Sequence, residues 1–314
     1  MKYQFILALL ILTYSCKEES TRNIATPIEK EKPTVSFTFD DGLTRDIVNY
    51  KFEEWNALIL NALKEANLSS MFFVTGFNKL DKKGKYLVSE WDKRNHRIAN
   101  HTFSHPNFND KNNTLETFEE ELLMTDSIIG GYNNYVKYFR FPYLKEGKSK
   151  EKTNGIRSIL NKHKFRNGYV TIDASDWYVN SRLINQMKYR QKVDTKAFEE
   201  FYLNHIIERA KFYESISYQL NGRHIKHTLL LHHNLTSALF LKSLIERFKS
   251  EGWNTIDATE AYKDPIYKSV PEVQFAGESL IWSLAKQSGK FENQLRYPAE
   301  DSRYEKDEMD RLGL

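Results

Sequence analysis

Apolar and polar side chains alternate with two different periods near the start of the chain. Residues 34–39 (TVSFTF) alternate apolar with polar positions, are rich in β-branched and aromatic types, and stop at Asp40, Asp41 and Gly42. This pattern predicts a strand that ends in a polar turn. Residues 55–66 carry apolar side chains at helical spacing, and residues 70–75 (SMFFVT) predict a second buried strand. The order strand, helix, strand indicates parallel βα units.

The same alternation continues through the middle of the chain. We predict further helices at 115–129, 155–162, 196–219 and 238–250, and further strands at 138–140, 167–172, 228–231 and 253–256. No repeat of fixed length and no low-complexity tract is evident. The pattern therefore predicts one α/β domain over residues 34–264, built as an open sheet or a (β/α) barrel.

The first residues have the layout of an export signal. Lys2 precedes an apolar run at residues 5–12, and residues 13–15 then lead to Cys16, the only cysteine of the chain. We predict that residues 1–15 are a signal peptide, since the run is too short to span a bilayer stably. The segment resembles a lipoprotein processing site, which implies lipidation of Cys16 and anchoring in the bacterial cell envelope, on its periplasmic or surface face. The alternative is a plain signal peptide with an incidental cysteine.

Two segments flank the predicted domain. Residues 16–33 are polar, contain Pro27 and Pro33 and lack an apolar period, so we predict a flexible tether. Residues 265–314 contain prolines and a charged tail, yet residues 280–285 (LIWSLA) are apolar. This mixture favours a C-terminal extension packed on the barrel over a separate domain.

Composition narrows the choice of partner only a little. With 314 residues, 40% of them hydrophobic, the chain can bury a sizeable core. The formal net charge is +4, and the basic residues are scattered among acidic ones, so nucleic acid is a poor partner. A single cysteine excludes an intramolecular disulfide. The aromatic content of 14% suits a sugar-binding groove and an ordinary core equally well.

Five polar clusters stand out in the predicted domain, several of them at the ends of predicted strands, where α/β folds place their active sites. The clusters are Asp40-Asp41, residues 101–105 (HTFSH), residues 140–143 (RFPY), residues 173–177 (DASDW) and residues 230–233 (LLHH). Each has a plain structural alternative when taken alone. Asp-Asp-Gly is a common turn, two histidines four apart are often surface residues, and Arg-Phe-Pro-Tyr suits a rigid loop.

Taken together and in this order, the clusters resemble the motifs of NodB-like polysaccharide deacetylases, carbohydrate esterase family 4. Residues 72–76 (FFVTG) and 96–101 (HRIANH) are also similar to the sequences around the family's second strand and second motif. The resemblance covers residues 34–264. It implies a distorted (β/α) barrel of the NodB-homology type with a C-terminal extension, and an enzyme acting on acetylated polysaccharide or peptidoglycan.

By this resemblance, Asp41, His101 and His105 hold a divalent metal. One carboxylate and two imidazoles suit zinc and leave a coordination position open for catalysis. Zinc is therefore the first choice, although the same ligands also suit other divalent metals, including iron.

The resemblance also implies roles for the remaining motif residues. Asp40 is the general base, and Arg140 pairs with it. The backbone N–H of Tyr143 stabilises the oxyanion, while His232, oriented by Asp176, is the general acid. The substrate groove and the acetyl pocket are lined by three residues: Tyr143, Trp177 and Leu230. For Trp177, plain core packing is the alternative.

The chain departs from the family pattern in two places. His232 is followed by His233 and Asn234 where the family usually has an acidic residue. The strand register favours His232 as the acid, and His233 stays an alternative. Residues 178–227 form a long insertion, which predicts either a lid over the groove or an outer helical layer. Four other histidines have no motif context and are taken as surface or structural residues: His163, His205, His224 and His227.

Three functions remain open at this point. The first is N-deacetylation of a polysaccharide or peptidoglycan that contains N-acetylglucosamine. The second is a xylan-type O-acetyl esterase, which shares the same metal chemistry. The third is an inactive carbohydrate-binding lipoprotein that retains the fold. The sequence favours the first.

Overall fold

A computed structural model describes residues 31–273, 276–295 and 301–314. The predicted signal peptide, Cys16 and residues 16–30 of the predicted tether lie outside these residues. Within them, no helix is both long and apolar enough to cross a membrane. Residues 32–314 form one unit.

A seven-stranded parallel sheet forms the centre of this unit. Its strands are β1 (Thr34–Asp41), β2 (Met71–Val74), β3 (Arg97–Asn100), β4 (Tyr135–Phe139), β6 (Arg166–Asn167), β7 (Lys226–His232) and β8 (Asn254–Thr255). They lie in the order β6-β4-β3-β2-β1-β7, and β8 pairs with the start of β1. A separate antiparallel pair consists of β5 (Lys145–Gly147) and β9 (Ala276–Gly277). The parallel order brings the carboxyl ends of the long strands to one edge.

An irregular segment joins the two edges of the sheet. The N–H of Gly168 donates to the carbonyl of Phe139 in β4 (2.6 Å), and four residues later Ile172 bridges Leu229 in β7. A Cβ at position 168 would lie 2.3 Å from the Phe73 ring, so only glycine permits this approach. The sheet thus curls into the predicted distorted (β/α) barrel, which confirms the fold class. The regular strand predicted at 167–172 is wrong, because this segment leaves β4 to reach β7.

Helices cover the outside of the sheet. Eight of them are α1 (Phe52–Glu65), α2 (Lys82–Lys93), α3 (Leu115–Ile129), α4 (Lys150–Lys162), α5 (Asp176–Tyr189), α6 (Thr195–Asn221), α7 (Leu235–Ser250) and α8 (Ala258–Ala261). The bounds of α3 are those predicted from the sequence, and the side chain of Thr114 caps its first turn by accepting the N–H of Thr117. The sequence analysis missed α2, because only its narrow face of Leu87, Val88 and Trp91 is apolar and buried.

The long insertion forms helices that belong to the outer layer. α6 packs beside the barrel and buries four side chains in the main core: Phe198, Tyr202, Ile206 and Tyr213. Of the two alternatives predicted for residues 178–227, this is the outer helical layer. The last two helices, α9 (Leu280–Ser288) and α10 (Arg303–Leu312), bury Leu280, Ile281 and Met309 in that same core. The barrel and the C-terminal segment therefore share one continuous set of buried side chains.

Candidate active site

The end of β1 brings two neighbouring carboxylates to one cavity. Asp40 pairs in register with His232 of β7, and Asp41 follows it with a positive φ of 77°. Successive side chains of a regular strand point to opposite faces, so this turn of the backbone allows both carboxylates to line the same space. The cavity has a volume of about 460 Å³. Its lining includes Asp40, Asp41, His101, His105, Tyr143, Leu144, Asp173, Ala174, Trp177, Leu230 and His232.

Three of these residues form a candidate metal centre. One ligand atom from each of Asp41, His101 and His105 lies within 4.8 Å of the others. The Nδ1 of His101 lies 2.8 Å from the carbonyl of Arg140. A carbonyl only accepts, so Nδ1 carries the proton and the lone pair of Nε2 faces the site. One carboxylate and two imidazoles in this arrangement fit a divalent metal such as zinc.

The ionisation of these ligands also fits metal binding. Burial, with a smaller contribution from neighbouring His101, lowers the pKa of His105 to about 4, so its imidazole is neutral at physiological pH. Burial alone raises the pKa of the Asp41 carboxyl, but His232, His105 and His101 outweigh burial and lower it overall. A neutral imidazole and a charged carboxylate are the forms that ligate a metal.

The loop that carries both histidines is anchored from α3. The Glu121 carboxylate accepts the backbone N–H groups of Phe103 (2.9 Å) and Ser104 (2.6 Å) as well as the Ser104 hydroxyl (2.8 Å). His105 has a positive φ of 62°, so its placement depends on this support. Sequence reasoning missed Glu121, which lies on a helix surface with no local motif.

The buried pair of Asp40 and Arg140 lies beside the metal centre. Arg140 Nη1 donates to Asp40 Oδ1 at 2.6 Å, and both side chains are buried. The guanidinium lies over the Phe73 ring at 3.8 Å. Burial lowers the pKa of Arg140, but the Asp40 charge outweighs burial and raises it overall. A permanent cation thus adjoins Asp40 and fixes the orientation of its carboxylate.

His232 and Asp176 form a second buried pair across the cavity. His232 Nδ1 donates to Asp176 Oδ1 (2.7 Å), while Asp176 Oδ2 accepts the His232 backbone N–H (2.8 Å) and the Asn234 side-chain amide (3.0 Å). Burial lowers the pKa of His232, but Asp176 outweighs burial and raises it to about 10. His232 is therefore protonated at neutral pH. The sequence analysis assigned no role to Asn234, whose side-chain amide fixes the second carboxylate oxygen.

His233 points away from the cavity. Its ring packs 4.4 Å from the Trp55 ring and 5.2 Å from the Trp91 ring, and its Nε2 donates to Asn56 Oδ1 at 2.9 Å. Burial lowers its pKa to about 3, so this histidine is neutral. Adjacent strand residues face opposite sides, and the geometry places His232, not His233, at the cavity.

The remaining predicted residues lie around the cavity mouth and in the core. Tyr143 follows Pro142 with a φ of 57°, and its half-exposed ring lies 4.6 Å from the His105 ring. Trp177 and Leu230 line the cavity wall, as does Asp173, to which the sequence assigned no role. The four other histidines named above lie outside the cavity lining, and two of them, His205 and His227, are buried.

Comparison with known proteins agrees with this geometry. Residues 28–168 match the family model described as polysaccharide deacetylase. The chain is also 33% identical over 113 residues to the peptidoglycan-N-acetylglucosamine deacetylase of Bacillus cereus, a match that covers 36% of this chain and 37% of that relative. Residues 28–168 are thus similar to polysaccharide deacetylases. The alignment to the relative spans only 37% of its length.

Solved structures with a similar fold agree with the architecture of this chain. One is a mutant of a carbohydrate esterase family 4 pseudoenzyme from Bacillus anthracis with restored activity. The match has 19% sequence identity and a TM-score of 0.51, and it covers 73% of this chain and 67% of that chain. Another is a peptidoglycan N-acetylglucosamine deacetylase in complex with 4-naphthalen-1-yl-N-oxidanyl-benzamide. This match has 20% sequence identity and a TM-score of 0.50, and it covers 74% of this chain and 89% of that chain. At these identities the likeness concerns the fold alone.

The family match ends at residue 168 and so contains the metal centre, Asp40, Arg140 and Tyr143. Asp176, Trp177, Leu230 and His232 lie beyond it. Their place in the candidate site rests on the cavity that they share with the first group.

Proposed function

We propose that the protein is a metal-dependent hydrolase that removes acetyl groups from N-acetylglucosamine units of a polysaccharide or peptidoglycan. The observation that carries the proposal is the cavity itself. It combines a candidate metal centre, a carboxylate paired with a buried cation, and an imidazole held protonated by Asp176. These are the parts that hydrolysis of a stable acetyl linkage requires.

The metal that Asp41, His101 and His105 would hold supplies Lewis-acid polarisation when bound, and zinc is the first choice. In the proposed reaction, Asp40 takes the proton of the attacking water. Arg140, at 2.6 Å, holds that carboxylate in place before the attack.

The leaving group is handled on the opposite side. His232 donates its proton to the departing amine nitrogen as the carbon–nitrogen bond breaks, and Asp176 holds the ring in position through Nδ1. The backbone N–H of Tyr143 donates to the developing oxyanion. Trp177 and Leu230 contact the acetyl methyl group and exclude water from the cavity wall.

Two observations favour the amide over the ester as the bond cleaved. An amine leaves only when protonated, and the imidazole of His232 is held in the protonated form that this step consumes. The Bacillus cereus relative is itself named as an N-acetylglucosamine deacetylase.

We also propose that the protein is exported and anchored to the cell envelope through lipidated Cys16, which brings the enzyme to wall or extracellular polysaccharide. The basic start, short apolar run and lone cysteine support this proposal. Metabolic labelling with an alkyne fatty acid should mark the wild-type protein and not a Cys16→Ala variant. Equal labelling of both would contradict lipidation at Cys16.

Acetate release from a panel of substrates tests the proposed reaction. The panel contains chitooligosaccharides, peptidoglycan and acetylated xylan, each with intact enzyme, chelated enzyme and chelated enzyme restored with zinc. We expect zinc-restored release from the first two substrates. Release from xylan alone would establish the O-acetyl esterase instead, and a metal-loaded protein that binds these glycans without releasing acetate would establish the inactive binding protein.

A further inference from the structure

The guanidinium of Arg140 has a named partner for each of its three nitrogens. Nη1 donates to Asp40 (2.6 Å), Nε donates to the carbonyl of Gly168 (2.9 Å), and Nη2 donates to the hydroxyl of Tyr262 (3.0 Å). The first two partners belong to the motif or to the segment that joins the sheet edges. Tyr262 belongs to neither, and it lies 122 residues further along the chain.

The hydroxyl of Tyr262 is fixed from its other side. It donates to the carbonyl of Tyr169 at 3.1 Å, so its oxygen is left to accept from Arg140. Burial raises the pKa of Tyr262 to about 12, which keeps the hydroxyl protonated at working pH. Gly168 and Tyr169 are consecutive in the joining segment. The Gly168 carbonyl therefore contacts Arg140 directly, and the Tyr169 carbonyl contacts it indirectly, through the hydroxyl of Tyr262.

The ring of Tyr262 is buried among other aromatic rings. It is 2% exposed and follows α8, and its centroid lies 4.8 Å from those of Tyr138 and Tyr267. The hydroxyl is therefore held in place before any substrate binds, which is the condition for positioning a catalytic group.

We propose that Tyr262 is a positioning residue of the deacetylase site, which orients Arg140 and through it the Asp40 carboxylate towards the cavity. This inference rests on the proposed function in so far as it assigns Asp40 as the base. Without the hydroxyl, one guanidinium nitrogen loses its partner, and the guanidinium can rotate away from the geometry that fixes Asp40.

The chain offers a matched control in Tyr267. This tyrosine is also buried and packs against Tyr262, but its hydroxyl donates to the Lys226 carbonyl (2.8 Å), and its oxygen lies 3.1 Å from the Thr228 hydroxyl. Tyr262→Phe and Tyr267→Phe therefore remove the same atom from the same aromatic cluster, and only the first removes a contact with Arg140.

We expect Tyr262→Phe to lower kcat about tenfold with a change in KM below about twofold, since hydrogen bonds to charged groups are among the stronger ones. Tyr267→Phe should keep the wild-type kcat, even if both variants lose similar thermal stability. In an Arg140→Ala background, Tyr262→Phe should cause no further loss of kcat. An equal loss of kcat in both tyrosine variants, or a full additional loss without Arg140, would overturn the proposal.

A second measurement does not depend on turnover. In protein labelled with ¹⁵N-arginine, the Nε–H signal of Arg140, assigned by its loss in Arg140→Ala, should broaden or shift in Tyr262→Phe and stay unchanged in Tyr267→Phe. Unchanged spectra in both would contradict the positioning role. If wild-type protein releases no acetate from any substrate, the proposed function fails, while this measurement still decides whether Tyr262 holds Arg140.

Discussion

On one side of the cavity His105 stands beside Asp41 and His101, and on the other His232 stands against Asp176. Burial acts on both histidines in the same direction, against the charged form. At His105, burial and a neighbouring imidazole outweigh the nearby carboxylates and lower the pKa to about 4. At His232, the charge of Asp176 outweighs burial and raises the pKa to about 10. The distance of the nearest carboxylate, and not depth alone, thus separates the candidate metal ligand His105 from the proposed proton donor His232.

The largest expected effect comes from breaking the metal side. We expect His105→Ala to lose zinc affinity and to lower the rate of acetate release by about a thousandfold or more, because the polarising ion is lost. Bound zinc measured by mass spectrometry and acetate release together check this. His163→Ala is the control, since His163 has similar exposure and pairs with Glu119 outside the cavity. Full activity in a zinc-free His105→Ala protein would contradict the metal centre.

Breaking the acid side should have the next largest effect. Asp176→Asn removes the charge that raises the His232 pKa, so we expect that pKa to fall and kcat to drop by about a hundred- to a thousandfold. The variant should still bind zinc as tightly as the wild type. Loss of zinc together with activity would mean that Asp176 supports the metal centre instead. NMR titration of the ring of His232 in metal-free protein checks the pKa itself.

His233 sharpens the comparison, because it is the neighbour of His232 on the same strand end yet belongs to the core. We expect His233→Ala to lower the free energy of unfolding by about 3 kcal/mol through the cavity it leaves, with kcat of the folded protein preserved. The His233 pKa is lowered from 6.5 to about 3, so its stabilisation is complete above pH 6.5 and is lost as the pH falls towards 3. Denaturant unfolding across this range should show a shallower loss in the variant. A variant that stays stable but loses turnover would place His233 in the site.

The smallest effect concerns the cavity wall. We expect Trp177→Ala to lower kcat/KM about tenfold, since an apolar contact with the substrate is lost while the reacting groups remain. Steady-state kinetics with a chitooligosaccharide measures the change. Unchanged kinetics with reduced thermal stability would support the alternative that Trp177 only packs the core.

The strands β1 and β7, which carry Asp40 and His232, were predictable because their short apolar runs stop at polar motifs, whereas β3, which leads into His101, was missed. The resemblance of the ordered motifs to a known family implied that Asp40, His101, Arg140, Asp176 and His232 share one site, and the structure brings all five to one region. Their roles stay predictions.

What the sequence did not indicate depends on tertiary contacts. Glu121 lies on α3, and only the folded chain brings it to the loop of residues 101–105. Tyr262 follows α8, and only the folded chain brings it to Arg140. Neither residue belongs to a local motif. Residues 167–172 look like a strand in sequence, but Gly168 lets them cross from one edge of the sheet to the other. For the histidine pair, the strand register had already favoured His232 over His233, and the environment of each ring agrees with that choice.

The central claim is that Asp40 acts as the base beside a metal held by its neighbour Asp41. Acetate release by Asp40→Asn and wild type, compared at equal bound zinc on one chitooligosaccharide, tests it most directly. The account predicts that the variant keeps its zinc and its affinity for the glycan and loses turnover to background. Wild-type turnover by the zinc-loaded variant would contradict it.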